Sequence, residues 1–576
     1  MIVVGAGPAG AACALTLARK GVNVLLVEKA RVPGERNMTG GVLYGEFEGG
    51  CGMTDLVPDF ETDAPVQRRI VSHEVSVLSA PDWENGTYRY YRMTKRSLPA
   101  RLGLFQFGLE SGHDYAILRR DFDQWFAARA VREGAMLSTQ TSVEGLVREG
   151  GAITGVTTTH EYIGAKLVVD ASGVTSNLVE MAGLRPGGLR PPQLYQGVKH
   201  VYRMDPSVME KRFRLKKGEG RAMLYLGEFM LGVHGGAFIY TNLDTLSVGV
   251  VVSMDSMVRA YTERFDRAGK TLDVLLAFEE HPMVAELLEG AEVVEYSAHN
   301  APKGHRSMLE TPYAPGFLAT GDALGSFVKI GPLLDGMRSA IATGVMAAQT
   351  YIRAAGGAGG SSGSFSAAAL SWYREALAPI YRNVARSRRD NRVSESRFVY
   401  DYLPSLLFTT ILPSREGKIR VDRGRLEQGG DAVKRTQRGT DMLDYDEDRA
   451  YAHIQVDLGR GSASAEKPWV PCCPVNCYTL VTPKGVFASA RDLLDHNVAP
   501  MQSRFVEANG FEATSTELRA MRAAAWETTL RDVAEGRLRF DHIACVECGT
   551  CGQIGPRETV SFGHERDGHG VRYRYG

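Results

Sequence analysis

Gly5-Ala6-Gly7-Pro8-Ala9-Gly10 follows the short apolar run Ile2-Val3-Val4 and opens a segment of helical propensity from Ala9 to Lys20. Gly21 stops that helix, and Val22 to Val27 reads as the next strand, closed by Glu28 eighteen residues after the third glycine. Each part has a mechanical task. Gly5 permits the tight turn, Gly7 lets the backbone approach a pyrophosphate, and Gly10 lets helix and sheet pack closely. The helix N-terminus, with Ala9 in its first turn, then faces phosphate charge. A lone glycine motif is weak; here strand, helix and acidic residue stand in register, and together they predict a Rossmann-like α/β dinucleotide fold. Glu28 is placed to accept from adenosine ribose hydroxyls, and its charge disfavours a 2′-phosphate.

The chain has 576 residues, 44% of them hydrophobic, enough for several cores. At roughly 150 residues per domain, three or four domains are expected. Sixty-seven basic and 67 acidic residues cancel, so no global field favours nucleic acid or an acidic membrane. No stretch of eighteen or more apolar residues calls for a spanning helix. Met1 runs at once into a strand, without the charged and apolar regions of a secretory leader, so a cytoplasmic location is expected.

Alternating or β-branched stretches within about 66–110 and 190–300, such as Gly249-Val250-Val251-Val252-Ser253, predict an antiparallel sheet interleaved with the dinucleotide fold. Residues 336–352 read as helix. The run from Gly356 to Ser364 reads as a flexible loop, and Ala367 to Ala385 as helix kinked at Pro379. Arg415 to Glu466 is polar and reads as a connector over the surface. The expected divisions are 1–350, 351–465 and 466–576.

Three further elements recur in chain order. Arg119 and Asp123 lie in Leu118-Arg119-Arg120-Asp121-Phe122-Asp123, and Val168-Val169-Asp170-Ala171-Ser172-Gly173 is a second strand-to-turn unit. Phe317-Leu318-Ala319-Thr320-Gly321-Asp322 is an apolar strand ending in Gly-Asp. All three resemble elements of two-motif flavoproteins, in which such an Asp holds the ribityl and pyrophosphate end of FAD. This resemblance, and not spacing, selects FAD over NAD. Lys329-Ile330-Gly331-Pro332 precedes a helix expected from Leu333, whose N-terminus would stabilise negative charge on a reduced flavin.

The eight cysteines are unevenly placed: Cys13 and Cys51 stand alone, while Cys472, Cys473, Cys477, Cys545, Cys548 and Cys551 crowd the last part of the chain. In a cytosolic chain such clustering reads as metal binding. Cys545-Val546-Glu547-Cys548-Gly549-Thr550-Cys551 has the C-x₂-C-x₂-C spacing that wraps three corners of an iron–sulfur cube. In two-cluster ferredoxins x₃-C-P follows; here Gly555 stands before Pro556. Upstream, Cys473-Pro474 keeps a Cys-Pro step without a preceding triple run. Joined, the halves give one ligand set, Cys473, Cys545, Cys548 and Cys551, for a single [4Fe-4S] cluster. Four thiolates also suit zinc, although zinc sites pair two C-x₂-C knuckles. Cys472 and Cys477 are spare; either is a substitute for Cys473 in principle, but only Cys473 precedes proline. Cys472 reads as a packed or exposed thiol and Cys477 as one packed near the cluster.

The combination resembles the electron-transfer flavoprotein:quinone oxidoreductase family, as a FixC-type flavoprotein fused to a FixX-type ferredoxin. The resemblance rests on Arg36-Asn37 with Gly40-Gly41, on Glu295-Tyr296-Ser297-Ala298-His299-Asn300-Ala301-Pro302, on Gly321-Asp322 and on the cysteine tail. It implies an FAD domain of glutathione-reductase type, an interleaved quinone or substrate domain and an α+β ferredoxin-like domain. The implied cofactor set is Gly5, Gly7, Ala9, Gly10, Glu28, Lys29, Arg36, Asn37, Gly41, Arg119, Ala171, Gly173, Gly321, Asp322, Gly331 and Pro332. Two departures stand out. Cys473 and Cys545 lie 72 residues apart, so about 490–537 reads as a helical insertion, and Lys303-Gly304-His305 stands where relatives carry Glu-Gly-Gly.

The resemblance implies relay from reduced electron-transfer flavoprotein (its alpha and beta subunits) through cluster and FAD to a quinone, with no catalytic side chain demanded. Peripheral contact with the cytoplasmic face of the membrane is expected through Phe398 to Leu412, too short to span but able to dip into the interface. Arg388, Arg389, Arg392 and Arg397 approach it. A buried helix explains the same stretch. Tyr88 to Met93 is a second candidate, better read as an edge strand. The rival functions are a relay subunit of an electron-bifurcating complex and a geranylgeranyl-reductase-like FAD enzyme, whose relatives lack the triple-cysteine tail.

Overall fold

The computed structural model describes residues 1–38, 41–93, 113–263, 270–331, 333–356, 365–395, 414–421, 441–463, 467–542 and 545–576. Ile2–Val4 lies inside a six-stranded sheet, paired in parallel with Leu25–Val27 and Val168–Asp170. Met136–Ser138 and Phe317–Ala319 extend it in parallel on either side, and Tyr313–Ala314 turns back on the last. The helix that follows the glycine turn, Pro8–Ala18, is buried along almost its whole length. It is apolar on every face because it is covered on every face: the sheet lies beneath it and helices Arg119–Arg132 and Met337–Ala354 pack over it.

A ten-stranded sheet forms the second layer. Its spine runs Glu292–Pro302, Leu194–Arg203, Thr245–Ser253, Gly235–Thr241, Glu219–Gly227, Arg68–Leu78, Thr87–Met93 and Arg415–Lys418. The expected antiparallel pairing holds except between Glu219–Gly227 and Arg68–Leu78, which are parallel. Parallel neighbours need a long crossover, and the chain between them passes through the dinucleotide layer. Thr87–Met93 is not an open edge, since Arg415–Lys418 pairs with it.

The C-terminal module is built from small antiparallel units. Tyr478–Thr482 pairs with Gly485–Phe487 and Arg537–Phe540, and helices Ala490–Asn509 and Ser515–Glu535 lie between the last two in the chain. The stretch read as a surface connector contributes Asp444–Asp446, paired with Gly570–Arg572, and Ile454–Val456, paired with Val560–Phe562. The module therefore begins near residue 441.

Two helix expectations need correction. Leu333–Asp335 is a strand, returning antiparallel on Val328–Ile330, and the helix starts at Met337. The pairing of Ile330 with Leu333 consumes the residues that local propensity assigned to a helix start. Residues 367–394 form three helices, Ala367–Leu370, Trp372–Ala376 and Ala378–Ser394, so Pro379 sits in the first turn of a new helix, where proline is tolerated, and not at a kink. Gly40, Pro332, the loop 357–364 and the segment 398–412 lie outside the described residues.

Gly344 shows how tightly the layers meet, because a Cβ there would fall on the carbonyl oxygen of Ala9. Gly344→Ala should destabilise the protein by about 1–3 kcal/mol, the usual cost of overpacking, read as a lower denaturation midpoint with FAD removed.

Candidate functional site

A cavity of about 580 Å³ runs along the seam between the two layers. Its floor is the glycine turn. Gly5 has φ +98°, and a Cβ on Gly10 would fall on the carbonyl oxygen of Gly5, so the turn closes only with glycine at both positions. Gly7 faces Arg119, whose guanidinium is held by Asp123 at 2.9 and 2.6 Å. Asn37 reaches the same Asp123. Glu28 accepts from Ala6 and Ala30 N–H, both at 2.9 Å, which fixes its carboxylate on the cavity wall. Ala9, Ala171, Gly173, Gly321 and Asp322 line the same space.

Asp322 gives the sharpest test of the expected cofactor. Its Oδ1 is buried with no hydrogen-bond partner, and burial raises its carboxyl to about 6, against the pull of Arg119. An orphaned acceptor on a cavity wall is what a polyol or ribose hydroxyl would satisfy. The residues fit an FAD. Gly41, by contrast, backs the ring of Tyr240, and Gly331 lies in the turn between Val328–Ile330 and Leu333–Asp335, away from the cavity wall. Leu334, Gly336 and Met337 take the place expected for it.

Lys29 and Arg36 line the cavity but turn their charge elsewhere. Lys29 Nζ lies 3.0 Å from Glu547 and 2.7 Å from His564 Nδ1. Arg36 donates to Glu547 and the Glu565 carbonyl, each at 3.2 Å, and to the His569 carbonyl. Glu547 sits between Cys545 and Cys548. Burial alone would raise its carboxyl; Arg36, Lys29 and His564 overcome this and hold it well below the usual range. Sequence reasoning missed this junction because its partners are more than five hundred residues apart.

Cys473, Cys477, Cys545, Cys548 and Cys551 are all buried. Cys477 N–H donates to Cys473 Sγ and Glu547 N–H to Cys545 Sγ, both at 3.3 Å. The buried Cys477 thiol neighbours both Cys473 and Cys545 and helps to lower both, so it lies among the thiols expected as ligands. Cys472 is buried as well, and its carbonyl accepts from Gln196 at 3.0 Å. Converging buried thiols that receive backbone N–H donors fit an iron–sulfur cluster. Thr550 links this loop to the cavity: its hydroxyl lies 3.2 Å from Cys548 Sγ and accepts from Asn300 at 3.0 Å and Gln196 at 2.9 Å.

A family model described as "FAD dependent oxidoreductase" matches residues 1–232. With the glycine turn and the cavity it marks the chain as an FAD-dependent oxidoreductase. Among curated proteins, Protein FixC of Escherichia coli (strain K12) is 35% identical over 376 residues, 65% of this chain and 80% of that one. "Probable electron transfer flavoprotein-quinone oxidoreductase YgcN" of the same organism is 35% identical over 357 residues, 62% and 76% of the two chains. The chain belongs to this family of FixC proteins and electron transfer flavoprotein-quinone oxidoreductases. Among solved structures, a geranylgeranyl bacteriochlorophyll reductase-like protein from Thermoplasma acidophilum superposes with a TM-score of 0.51 at 19% identity, covering 77% of this chain and 98% of that one. That likeness is one of fold alone.

Two outcomes are expected. Asp322→Asn should weaken FAD binding about 10- to 100-fold, the range for a hydrogen bond to a charged group. It should also stabilise the FAD-free protein above pH 6, because a carboxyl raised by folding favours the native state below its unfolded value of about 3.9 and loses that advantage as pH rises through about 6. Glu547→Gln should cost about 3–5 kcal/mol by leaving buried cations unpaired. Its folded carboxyl is lowered, so the difference from wild type should be full above about pH 5 and shrink only in more acid solution. Urea titrations across pH measure both.

Proposed function

We propose that the chain passes electrons from a reduced electron-transfer flavoprotein to a membrane quinone, with Cys473, Cys545, Cys548 and Cys551 holding a [4Fe-4S] cluster and the seam cavity an FAD. When bound, the flavin exchanges one- and two-electron traffic and the cluster moves single electrons. The observation that carries the reading is the direct contact of the two sites. The loop that bears three of the cysteines also supplies Glu547 to the cavity wall, and Thr550 joins Cys548 to Asn300, another wall residue.

The residues have distinct tasks. Gly5, Gly7 and Gly10 admit the pyrophosphate, Glu28 takes the adenosine ribose, and Asp322 takes a hydroxyl of the ribityl chain. Arg119, locked by Asp123, presents fixed positive charge over the phosphates. Gln196 and Asn300, both fully buried, hold Thr550 and exclude water between the two sites. The relatives' names point to the donor and acceptor classes. No helix among the described residues is long and apolar enough to cross a membrane, and the reading places the chain peripherally on the cytoplasmic face.

The test is anaerobic reduction by an electron-transfer flavoprotein followed by a quinone. Flavin bleaching and then recovery are expected; a flavin that no quinone reoxidises overturns the reading. Metal analysis should give about four iron atoms per FAD, falling sharply in Cys545→Ser and Cys551→Ser. Zinc in place of iron overturns the cluster assignment.

A further inference from the structure

The cavity is polar at one end and apolar at the other. Glu28, Lys29 and Thr141 mark the adenosine end; Tyr195, Phe238, Tyr240, Val251, Phe327 and Leu334 wall the opposite end, where the flavin ring would lie. A second hollow of about 60 Å³ shares Tyr195, Phe238, Tyr240, Val251 and Leu334 with that end and continues into the large sheet. It is too small for a whole quinone and suits the carbonyl edge of a ring lying in the larger space. Its lining is largely apolar, through Leu224, Leu226 and Ala237, yet Lys329 and Glu395 open onto it.

The ion cluster behind this hollow has two kinds of member. Lys303 has no side-chain exposure; it bonds Ser253, lies 3.1 Å from Asp255 and 3.8 Å from Glu395, and covers the ring of Tyr195. With Arg306, 2.8 Å from Glu395, and His305, at 3.5 Å, it fastens helix Ala378–Ser394 to the sheet layer. These groups hold Glu395 well below its ordinary range although burial opposes them. Tyr195 Oη donates to the same carboxylate at 3.2 Å. Lys329 differs. Its side chain lines the hollow, and its amine donates to Asn391 at 2.7 Å. Burial draws it down to about 8, with Glu395 and Asp390 pulling it up and Lys303 pushing it down. A cation at the mouth of an apolar pocket, able to release a proton near neutral pH, has the properties of a general acid.

We propose that Lys329 donates a proton to a carbonyl oxygen of the quinone, Glu395 being the fixed anion that keeps the ammonium form available and Tyr195 the positioning residue that bonds that carboxylate. The proposal rests on the quinone reading above. A quinone that takes two electrons from reduced flavin gains two protons, and both carbonyl oxygens become hydroxyls. Lys329 supplies one and is reprotonated from solvent on the Asp390 side; water supplies the other at the outward oxygen. Lys303-Gly304-His305, the departure from the family pattern, belongs to the same cluster and supplies Lys303, one of the cations that fix Glu395.

The test uses the full chain loaded with FAD and cluster, reduced by dithionite and mixed with ubiquinone-1 or with ferricenium, which accepts an electron and no proton. The ratio of quinone to ferricenium reoxidation rates should fall about 10²-fold in Lys329→Met, and equally in Lys329→Arg, which keeps the charge but not a releasable proton. A ratio unchanged in both variants, or restored by arginine, overturns the proposal, since a fastening cation needs only its charge. If Lys329→Met fails to fold, the arginine variant decides alone. Wild-type protein that ubiquinone-1 and menadione both fail to reoxidise overturns the quinone reading, and this proposal with it; failure confined to the variants' ratio leaves that reading standing.

Discussion

The carboxylate of Glu547, buried among Arg36, Lys29 and His564, is the constraint on which the arrangement of the two sites depends. It lies within the triple-cysteine run, at φ +50°, a left-handed conformation that costs a residue with a side chain roughly 1 kcal/mol or more. The strain persists because the turn aims Glu547 at the dinucleotide layer while its N–H faces Cys545. One residue thereby sets the loop's direction toward the thiols and its anchorage to the cavity wall. Surface ion pairs contribute little; this one is buried on both sides, with side-chain exposures of 6% for Arg36 and 4% for Glu547, so breaking it leaves charges that water cannot reach.

A second junction makes the contact specific. Gln196 donates to Thr550 and to the Cys472 carbonyl and accepts from Thr271, while Asn300 donates to Thr550 and Gln553. These amides sit on adjacent strands of the large sheet, in register with each other. Buried amides whose bonds are made hold one geometry, whereas an apolar interface tolerates sliding. The sheet thus does more than wall the cavity: its strands carry the donors that seat the cysteine loop.

Legibility followed locality. The turn from Gly5 to Gly10 was readable because its steric reasons lie within six residues, whereas Asp322 was singled out by resemblance and not by its local sequence. The grouping of the cysteines was legible from spacing, and Cys477, expected to pack close to the others, lies beside Cys473 and Cys545. The helix start at Leu333 was misplaced because a two-stranded turn competed with local propensity and won. The start of the C-terminal module was missed for a related reason. Asp444–Asp446 finds its partner only at Gly570–Arg572, and no feature of a short polar strand announces a neighbour so distant. Glu547 drew no reading of its own for the same reason.

Gly555 stands where the backbone leaves no room for a side chain. In a two-cluster ferredoxin this position would carry a thiol for the other cluster. Here the Gly555 N–H closes the short helix onto the Cys551 carbonyl at 2.7 Å, and a Cβ at 555 would stand 2.6 Å from that oxygen and 3.0 Å from Val560. Val560 is buried on a strand whose partner, Ile454–Val456, comes from the segment that precedes the first cysteines. Restoring a side chain at 555 would push that strand pair apart. The triple-cysteine loop is therefore packed tightly on its far side by Val560 and tied on its near side to the cavity wall by Glu547.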